Sequence, residues 1–131
     1  MDILSSRTII HPADLEASLA FYGRGLGLAV AREFGAGPGR GVVFFAGVGL
    51  IEVVGATGHR TGDLPLAFWL QVRDVEASVA ELASRGVAVD RPPLLEPWGL
   101  IEAWVTDPDG IRVHLVEVPE RHPLRRDTRS D

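Results

Sequence analysis

The last third of the chain alternates between apolar and polar positions, as a half-buried β-strand requires. In the stretch 111–115, every second residue is apolar: Ile111, Val113 and Leu115. Arg112 and His114 fall on the opposite face, because successive side chains of a strand point to opposite sides. The preceding residues 107–110, DPDG, combine proline with glycine and predict a tight turn. The pattern therefore predicts a strand with a histidine among apolar neighbours.

A second pattern occurs twice along the chain. Residues 13–30, ADLEASLAFYGRGLGLAV, and residues 73–89, RDVEASVAELASRGVAV, match at positions 60 apart: Asp14/Asp74, Glu16/Glu76, Ala17/Ala77, Ser18/Ser78 and Ala20/Ala80. In each copy the aspartate can cap the first turn of a helix. Apolar residues then recur at helical spacing. We expect Gly25 and Gly86 to end these helices in the left-handed conformation.

Each predicted helix is preceded by one strand and followed by three short β segments. The leading strands are RTIIH and LAFWLQV, and the other segments lie at roughly 28–34, 41–46, 48–54, 87–90, 100–106 and 111–118. This order predicts an α+β fold made of two tandem βαβββ modules within one domain, 1–131. The modules span about 7–54 and 66–118, a linker covers 55–65, and a polar tail covers 119–131.

Composition narrows the classes of protein that fit. A chain of 131 residues with 46% hydrophobic residues is large enough for one domain with its own core. The net charge of −5 and the scattered arginines give no sign of nucleic-acid binding. Without cysteine, disulfides and thiolate metal sites are impossible. We see no signal peptide and no apolar run of membrane length, and we expect a cytoplasmic protein that binds no membrane.

The double βαβββ order, together with DLEASLAFYGRGLGL and WGLIEAWVTDPDG, resembles the vicinal oxygen chelate superfamily. This group includes glyoxalase I, bleomycin-resistance proteins, fosfomycin-resistance enzymes and extradiol dioxygenases. The resemblance covers residues 7 to about 118. It implies that the sheet of each module curls into a cup backed by its helix. It also implies a homodimer, because short members often build each cavity from one half of each subunit.

The strand faces opposite the helices are mixed in character and are our candidates for a ligand cavity. Large aromatic side chains are costly on a bare wet face, so two tryptophans there favour a pocket. The candidate ligand-binding residues are Arg7, His11, Glu52, Trp69, Gln71, Glu102, Trp104 and His114. We expect Arg112 at the rim. The alternative is a pair of ion pairs, Arg7–Glu52 and His114–Glu102, without a ligand role.

In metal-dependent members, four strand positions supply ligands, and the resemblance puts them at Arg7, Glu52, Ala67 and His114. Glu52 and His114 are good ligand types, but arginine stays protonated and alanine has no donor atom. His11 lies about 13 Å along the strand from Arg7, at about 3.3 Å per residue. His59, in the linker, is the only other histidine with reach. We therefore expect no metal; the alternative is Zn, Ni, Mn or Fe on Glu52 and His114.

Three functions remain open from the sequence. The first is a binding protein of the bleomycin-resistance type, which holds an amphipathic aromatic metabolite or antibiotic between the tryptophans, including Trp98, without changing it. The second is a metal-dependent glyoxalase-like lyase or isomerase, or a dioxygenase, that uses Glu52 and His114. The third is a metal-free enzyme with a Glu/His acid–base pair.

Overall fold

A computed structural model of the chain describes residues 2, 7–55 and 66–122, so His59 lies outside the described residues. The chain divides into two units. The first is formed by residues up to Leu66 together with the turn Asp107–Ile111. The second is formed by Ala67–Thr106 and by the chain from Arg112 onwards.

The first unit is a four-stranded sheet with one short helix. Its elements are β1 (Thr8–Ile10), α1 (Leu15–Leu19), β2 (Val30–Phe34), β3 (Gly41–Ala46) and β4 (Gly49–Val54). The strands lie in the order β1-β4-β3-β2, with β1 parallel to β4 and the other pairs antiparallel. The face predicted to be apolar is buried at Ile10, Ile51 and Val53, which are 1%, 3% and 0% exposed.

The helix of the first unit begins as its sequence predicts but ends without a left-handed Gly25. The Asp14 carboxylate accepts from the Ala17 N–H at 3.0 Å, as an N-cap does. α1 then continues as a π-helical segment, Ala20–Gly25. Gly25 is the last residue of this segment and is buried, and the glycine with positive φ is Gly27, at 71°. The helix therefore ends at Gly25, as predicted, but the prediction that Gly25 adopts the left-handed conformation is wrong.

The turn Asp107–Ile111 is held by its first aspartate. Asp107 Oδ1 accepts from the N–H groups of Asp109 and Ile111 at 2.9 and 2.8 Å, and Asp107 N–H donates to the Ile111 carbonyl. Asp107 Oδ2 accepts from the hydroxyl of Tyr22, which is fully buried. The Asp109 carboxylate in turn accepts from the Ala13 N–H at 2.9 Å, next to α1.

The second unit repeats the architecture of the first. Its elements are β5 (Ala67–Gln71), α2 (Val75–Ser84), β6 (Arg91–Leu95), β7 (Ile101–Thr106) and β8 (Arg112–Glu117). The strand order is β5-β8-β7-β6, with β5 parallel to β8 and the others antiparallel. Both units therefore have βαβββ order within the described residues, which confirms the predicted α+β fold of two tandem modules.

One strand of the second unit was predicted in the wrong place. We expected a β segment at 87–90, but β6 begins at Arg91 and includes Pro92 and Pro93. β6 is an edge strand that pairs only with β7, and its register shifts between Arg91 and Leu94. Prolines lack an N–H group, which an edge strand with a bulge tolerates and a central strand does not.

The helix α2 packs on the face that the sequence assigns to the core. Its N-cap is Asp74, whose carboxylate accepts from the Ala77 N–H at 3.0 Å. The Val75 N–H donates to Glu117 Oε1 of β8 at 2.9 Å, which fixes the start of the helix against that strand. Gly86 has a φ of 82° just after the helix, as predicted. Among residues 67–106 and 112–122, no helix covers the opposite face of this sheet.

Candidate functional site

A row of four side-chain positions crosses the second sheet on the face opposite α2. Trp69 on β5 pairs with His114 on β8, His114 pairs with Trp104 on β7, and Trp104 pairs with Arg91 on β6. Paired residues of neighbouring strands point to the same face and lie close enough to touch. The row therefore places an imidazole between two indoles and ends in a guanidinium.

A buried carboxylate lies beside this row. Glu102, only 5% exposed, is two residues before Trp104 on the same face of β7. Its Oε2 accepts from the Trp98 indole Nε1–H at 2.7 Å, and its Oε1 lies 3.3 Å from His114 Nδ1. Because an ionised carboxylate only accepts, His114 donates to it from Nδ1, and Nε2 is the other nitrogen of the ring. Glu102 thus orients both aromatic side chains.

The Trp104 ring is covered by two guanidinium groups. The Cζ atoms of Arg91 and Arg112 each lie 4.1 Å from the ring centroid, and the two residues come from the strands on either side of β7. The His114 ring meets the same indole edge-on, with centroids 5.5 Å apart. Guanidinium groups are attracted to the faces of indole rings. The Trp104 ring is therefore in contact with Arg91, Arg112 and His114, and it holds the two guanidinium groups against the sheet.

Two other indoles are open to solvent. Trp69 is 50% exposed and Trp98 is 58% exposed. Trp98 stands in the loop between β6 and β7, and its carbonyl lies 3.1 Å from His122 Nε2. We call the surface formed by Trp69, Trp98, Trp104, His114, Glu102 and Arg112 the tryptophan face. An open indole on a sheet next to a buried, hydrogen-bonded carboxylate can stack a planar molecule and hydrogen-bond its polar groups.

The first unit carries the remaining predicted site residues. Arg7 Nη1 donates to Glu52 Oε1 at 2.9 Å, and Glu52 pairs with Ile9 across β1 and β4. His11 is half-buried just after β1. The Arg7–Glu52 ion pair of the alternative interpretation is thus present. His114 Nδ1 lies 3.3 Å from Glu102 Oε1, and this contact is an ion pair only when the ring is protonated. The prediction that Glu52 and His114 share one cavity joins residues of different units and stays a prediction.

Within the second unit, the structure brings most of the predicted site residues together. Trp69, Glu102, Trp104 and His114 lie on one face, and Gln71 follows Trp69 on β5 opposite Val116. Sequence reasoning missed Arg91 and Glu96, which form a half-buried ion pair. It missed them because β6 was placed too early. Once β6 is paired with β7, Arg91 comes next to Glu102 and donates to its carbonyl at 3.0 Å.

The residues at the four metal-ligand positions do not fit a metal ion. Arg7 occupies one position and is hydrogen-bonded to Glu52, the donor at another. Ala67 offers no donor, and His114 has only Nε2 left for a metal because Glu102 engages Nδ1. Within residues 2, 7–55 and 66–122, no group of three or more His, Asp or Glu side chains is close enough to hold a metal. The four positions themselves therefore offer two donor side chains, fewer than the three protein ligands of catalytic zinc sites, and the absence of a metal stays a prediction.

A buried pair in the first unit has perturbed ionisation. Burial raises the pKa of Tyr22 far above its ordinary value, and the charge of Asp107 adds to this effect. Burial also raises the pKa of Asp107, although the hydrogen bonds from Tyr22, Ile111 and Asp109 pull it back. The phenol stays neutral and donates to the carboxylate. The Tyr22 hydroxyl and both carboxylate oxygens of Asp107 make hydrogen bonds that hold the turn. We therefore assign the Tyr22–Asp107 pair a structural role.

No helix in the described part of the chain is long and apolar enough to cross a membrane. Two βαβββ units in tandem, each a mixed four-stranded sheet with one helix, define the class of fold to which the glyoxalases and their relatives belong. A model of the Glyoxalase/Bleomycin resistance protein/Dioxygenase superfamily matches residues 6–115. The chain belongs to this superfamily.

Solved structures of this fold are similar to the chain. A superfamily member from Sphaerobacter thermophilus DSM 20745 is 27% identical, with a TM-score of 0.71 over 89% of this chain and 98% of that one. TnmS3, an antibiotic binding protein from Streptomyces sp. CB03234, is 26% identical, with a TM-score of 0.72 over 90% and 100%. A glyoxalase-related enzyme from Fulvimarina pelagi, 24% identical, has a TM-score of 0.67 over 89% and 90%. No curated protein matches.

Proposed function

We propose that this chain is a small-molecule-binding protein that holds an amphipathic aromatic metabolite or antibiotic on its tryptophan face without a bound metal. The observation that carries the proposal is the open indole of Trp69, 50% exposed, in the same cross-strand row as His114. Exposure of an indole to water is unfavourable. An aromatic ring stacked on it contributes about 0.5–1.5 kcal/mol of binding free energy beyond that from the burial of apolar area. The similarity to TnmS3, an antibiotic binding protein, supports the same assignment.

The polar part of the ligand would meet His114. Glu102 engages Nδ1 of the ring, and the other nitrogen, Nε2, has no hydrogen bond to any described residue. A hydrogen-bond partner at a fixed angle beside an indole orients a planar molecule as well as binding it. A homodimer, which we also propose, would cover the open indoles by bringing a second copy of the chain over them.

The proposal is tested by a screen of planar compounds for thermal stabilisation, followed by NMR titration of the three indole N–H resonances. The chain has three tryptophans, so each signal reports one position. We expect the signals of Trp69 and Trp98 to shift with a hit, and Trp69→Ala to weaken binding about tenfold, the loss of one good stacking contact. Leu95→Ala is the matched control, because Leu95 is 65% exposed and pairs with Ile101 on the α2 side. Unchanged affinity in both Trp69→Ala and Trp98→Ala would refute the proposal.

A second candidate function, acid–base catalysis without metal, is favoured by the His114–Glu102 contact of 3.3 Å. A carboxylate that holds one ring nitrogen leaves the other to take or give a proton. Mass spectrometry of a hit after long incubation separates the two functions. A binding protein returns the compound with its mass and structure unchanged, whereas an enzyme returns a product that is not formed by His114→Gln.

A further inference from the structure

We infer that the tryptophan face prefers a planar aromatic that carries an anionic oxygen, and that Arg112 supplies this preference. The inference rests on the proposed function and adds the chemical class of the ligand. Arg112 is exposed on β8, two residues before His114 and on the same face. Its guanidinium lies against the Trp104 ring, which holds it over the sheet and restricts the long side chain to part of its range.

The other charged groups of this face already have hydrogen-bond or ion-pair partners. The Glu102 carboxylate takes two donors, the Trp98 indole and His114, and Arg91 is paired with Glu96. The Arg112 guanidinium, by contrast, has no hydrogen bond or ion pair with any described residue, and its only partner there is the Trp104 ring. The N–H groups of a guanidinium lie in its own plane, where they can reach an outside acceptor.

The buried hydrogen-bonding groups that lack a partner in this unit also favour a ligand with acceptor atoms. The buried side-chain nitrogens without a partner in this unit are Trp104 Nε1 and Arg91 Nε, as far as the described residues go, and both are donors. Donors without acceptors favour a ligand rich in oxygen over one that carries an ammonium group. A carboxylate or phenolate satisfies Arg112 through the paired N–H groups of its fork.

The distance between the two groups suits one molecule. Ala67 is the direct partner of Arg112 across β5 and β8, and Trp69 stands two residues further along β5. The Arg112 guanidinium lies against Trp104 on β7, which is two strands from β5. At a strand spacing of about 4.8 Å, the guanidinium is therefore about 10 Å from Trp69. An aromatic of two fused rings with one acidic substituent spans this distance. It can stack on Trp69 while its oxygens meet Arg112.

The test compares three probes that share one ring system and differ in charge: naphthoate, naphthamide and naphthylmethylammonium. Affinities are read from the shifts of the indole N–H resonances. We expect naphthoate to bind about fivefold more tightly than naphthamide, as one partly exposed ion pair allows. Naphthylmethylammonium should bind most weakly. Added salt should narrow the gap, because it screens exposed charges.

Two variants identify the residue. Arg112→Gln should bring naphthoate and naphthamide to equal affinity. Arg112→Lys keeps the charge but not the fork, and should retain part of the preference. A naphthoate preference that survives in Arg112→Gln would overturn the inference. So would equal binding of the three probes to the natural protein, which would leave the stacking site of the proposed function standing. Absence of any indole shift with all three probes would overturn both.

Discussion

Tyr22 and Asp107 offer a quantitative test of how the turn between β7 and β8 is stabilised. Tyr22→Phe removes one oxygen and leaves the ring in place. The ring is fully buried and packs against Phe21 edge-on, with centroids 4.9 Å apart, so its packing should survive. What is lost is the 2.8 Å hydrogen bond from the hydroxyl to Asp107 Oδ2.

The expected cost follows from the partners that remain. Asp107 is 5% exposed, and its Oδ1 keeps the backbone donors of Asp109 and Ile111. Oδ2 loses its hydrogen bond from Tyr22 and has no other donor among the described residues. Hydrogen bonds to charged groups contribute about 1.5–3 kcal/mol, so we expect Tyr22→Phe to lower the free energy of unfolding by about 2 kcal/mol at neutral pH. For a chain of this size that corresponds to a fall in Tm of about 8 °C.

The pH dependence gives a second, independent readout. Burial raises the pKa of Asp107, so the native state binds a proton that the unfolded chain releases near its ordinary value. This carboxyl therefore contributes stability that is present at low pH and lost as the pH rises through its folded pKa. The Tyr22 hydrogen bond pulls that pKa down, so its removal raises the pKa further. The difference between the natural protein and Tyr22→Phe should shrink as the pH falls through the pKa of Asp107.

Urea denaturation followed by circular dichroism, from about pH 3 to pH 7, measures both effects. Asp107→Asn is the companion variant, because it keeps a polar partner for the hydroxyl but removes the charge. Its stability should depend less on acidic pH, and Tyr22→Phe should cost less in that background. A loss below about 0.5 kcal/mol in Tyr22→Phe would refute the reasoning, since that is the range of an exposed contact. A loss that does not change with pH would refute it as well.

Three further predictions concern the rest of the molecule. Gly55→Ala should destabilise the first unit by more than about 2 kcal/mol, because a Cβ there would stand 1.8 Å from the Pro38 carbonyl oxygen, while Gly39→Ala, with nothing within 4 Å, should be nearly neutral in the same urea titration. Purified protein should carry no stoichiometric zinc, nickel, manganese or iron by elemental analysis; a bound metal that is lost in His114→Ala would contradict this. Sedimentation should give a homodimer at micromolar concentration, and a stable monomer would count against a shared cavity.

The order of elements could be predicted from the sequence because its signals are local. A repeated Asp with helical apolar spacing starts each helix, and the carboxylates of Asp14 and Asp74 do accept from the N–H groups three residues on. Alternation with a period of two separates the faces of β7 and β8, since a strand sends neighbouring side chains to opposite sides. These features need no knowledge of which strand lies beside which.

Where local signals conflict, the sequence misleads. We expected the β segment at 87–90, before Pro92 and Pro93, and only the position of β6 at the sheet edge lets these prolines lie in a strand. Gly25 looked like a left-handed helix stop, but the π-helical segment ends there without a positive φ, and the left-handed glycine is Gly27. In both cases the favourable pairing or packing of the neighbouring chain outweighs a residue preference worth about 1–3 kcal/mol.

The composition of the candidate site depended partly on sequence and partly on register. The face of Trp69, Glu102, Trp104 and His114 follows from alternation within each strand. That His114 meets Glu102, and that Arg91 and Arg112 cover Trp104, follows from which residues of neighbouring strands stand opposite each other. Register is set by the summed pairing and burial of whole strands, over distances in sequence that no local pattern spans. The sequence by itself therefore determined which side chains face the same way, and the tertiary structure decided which of them touch.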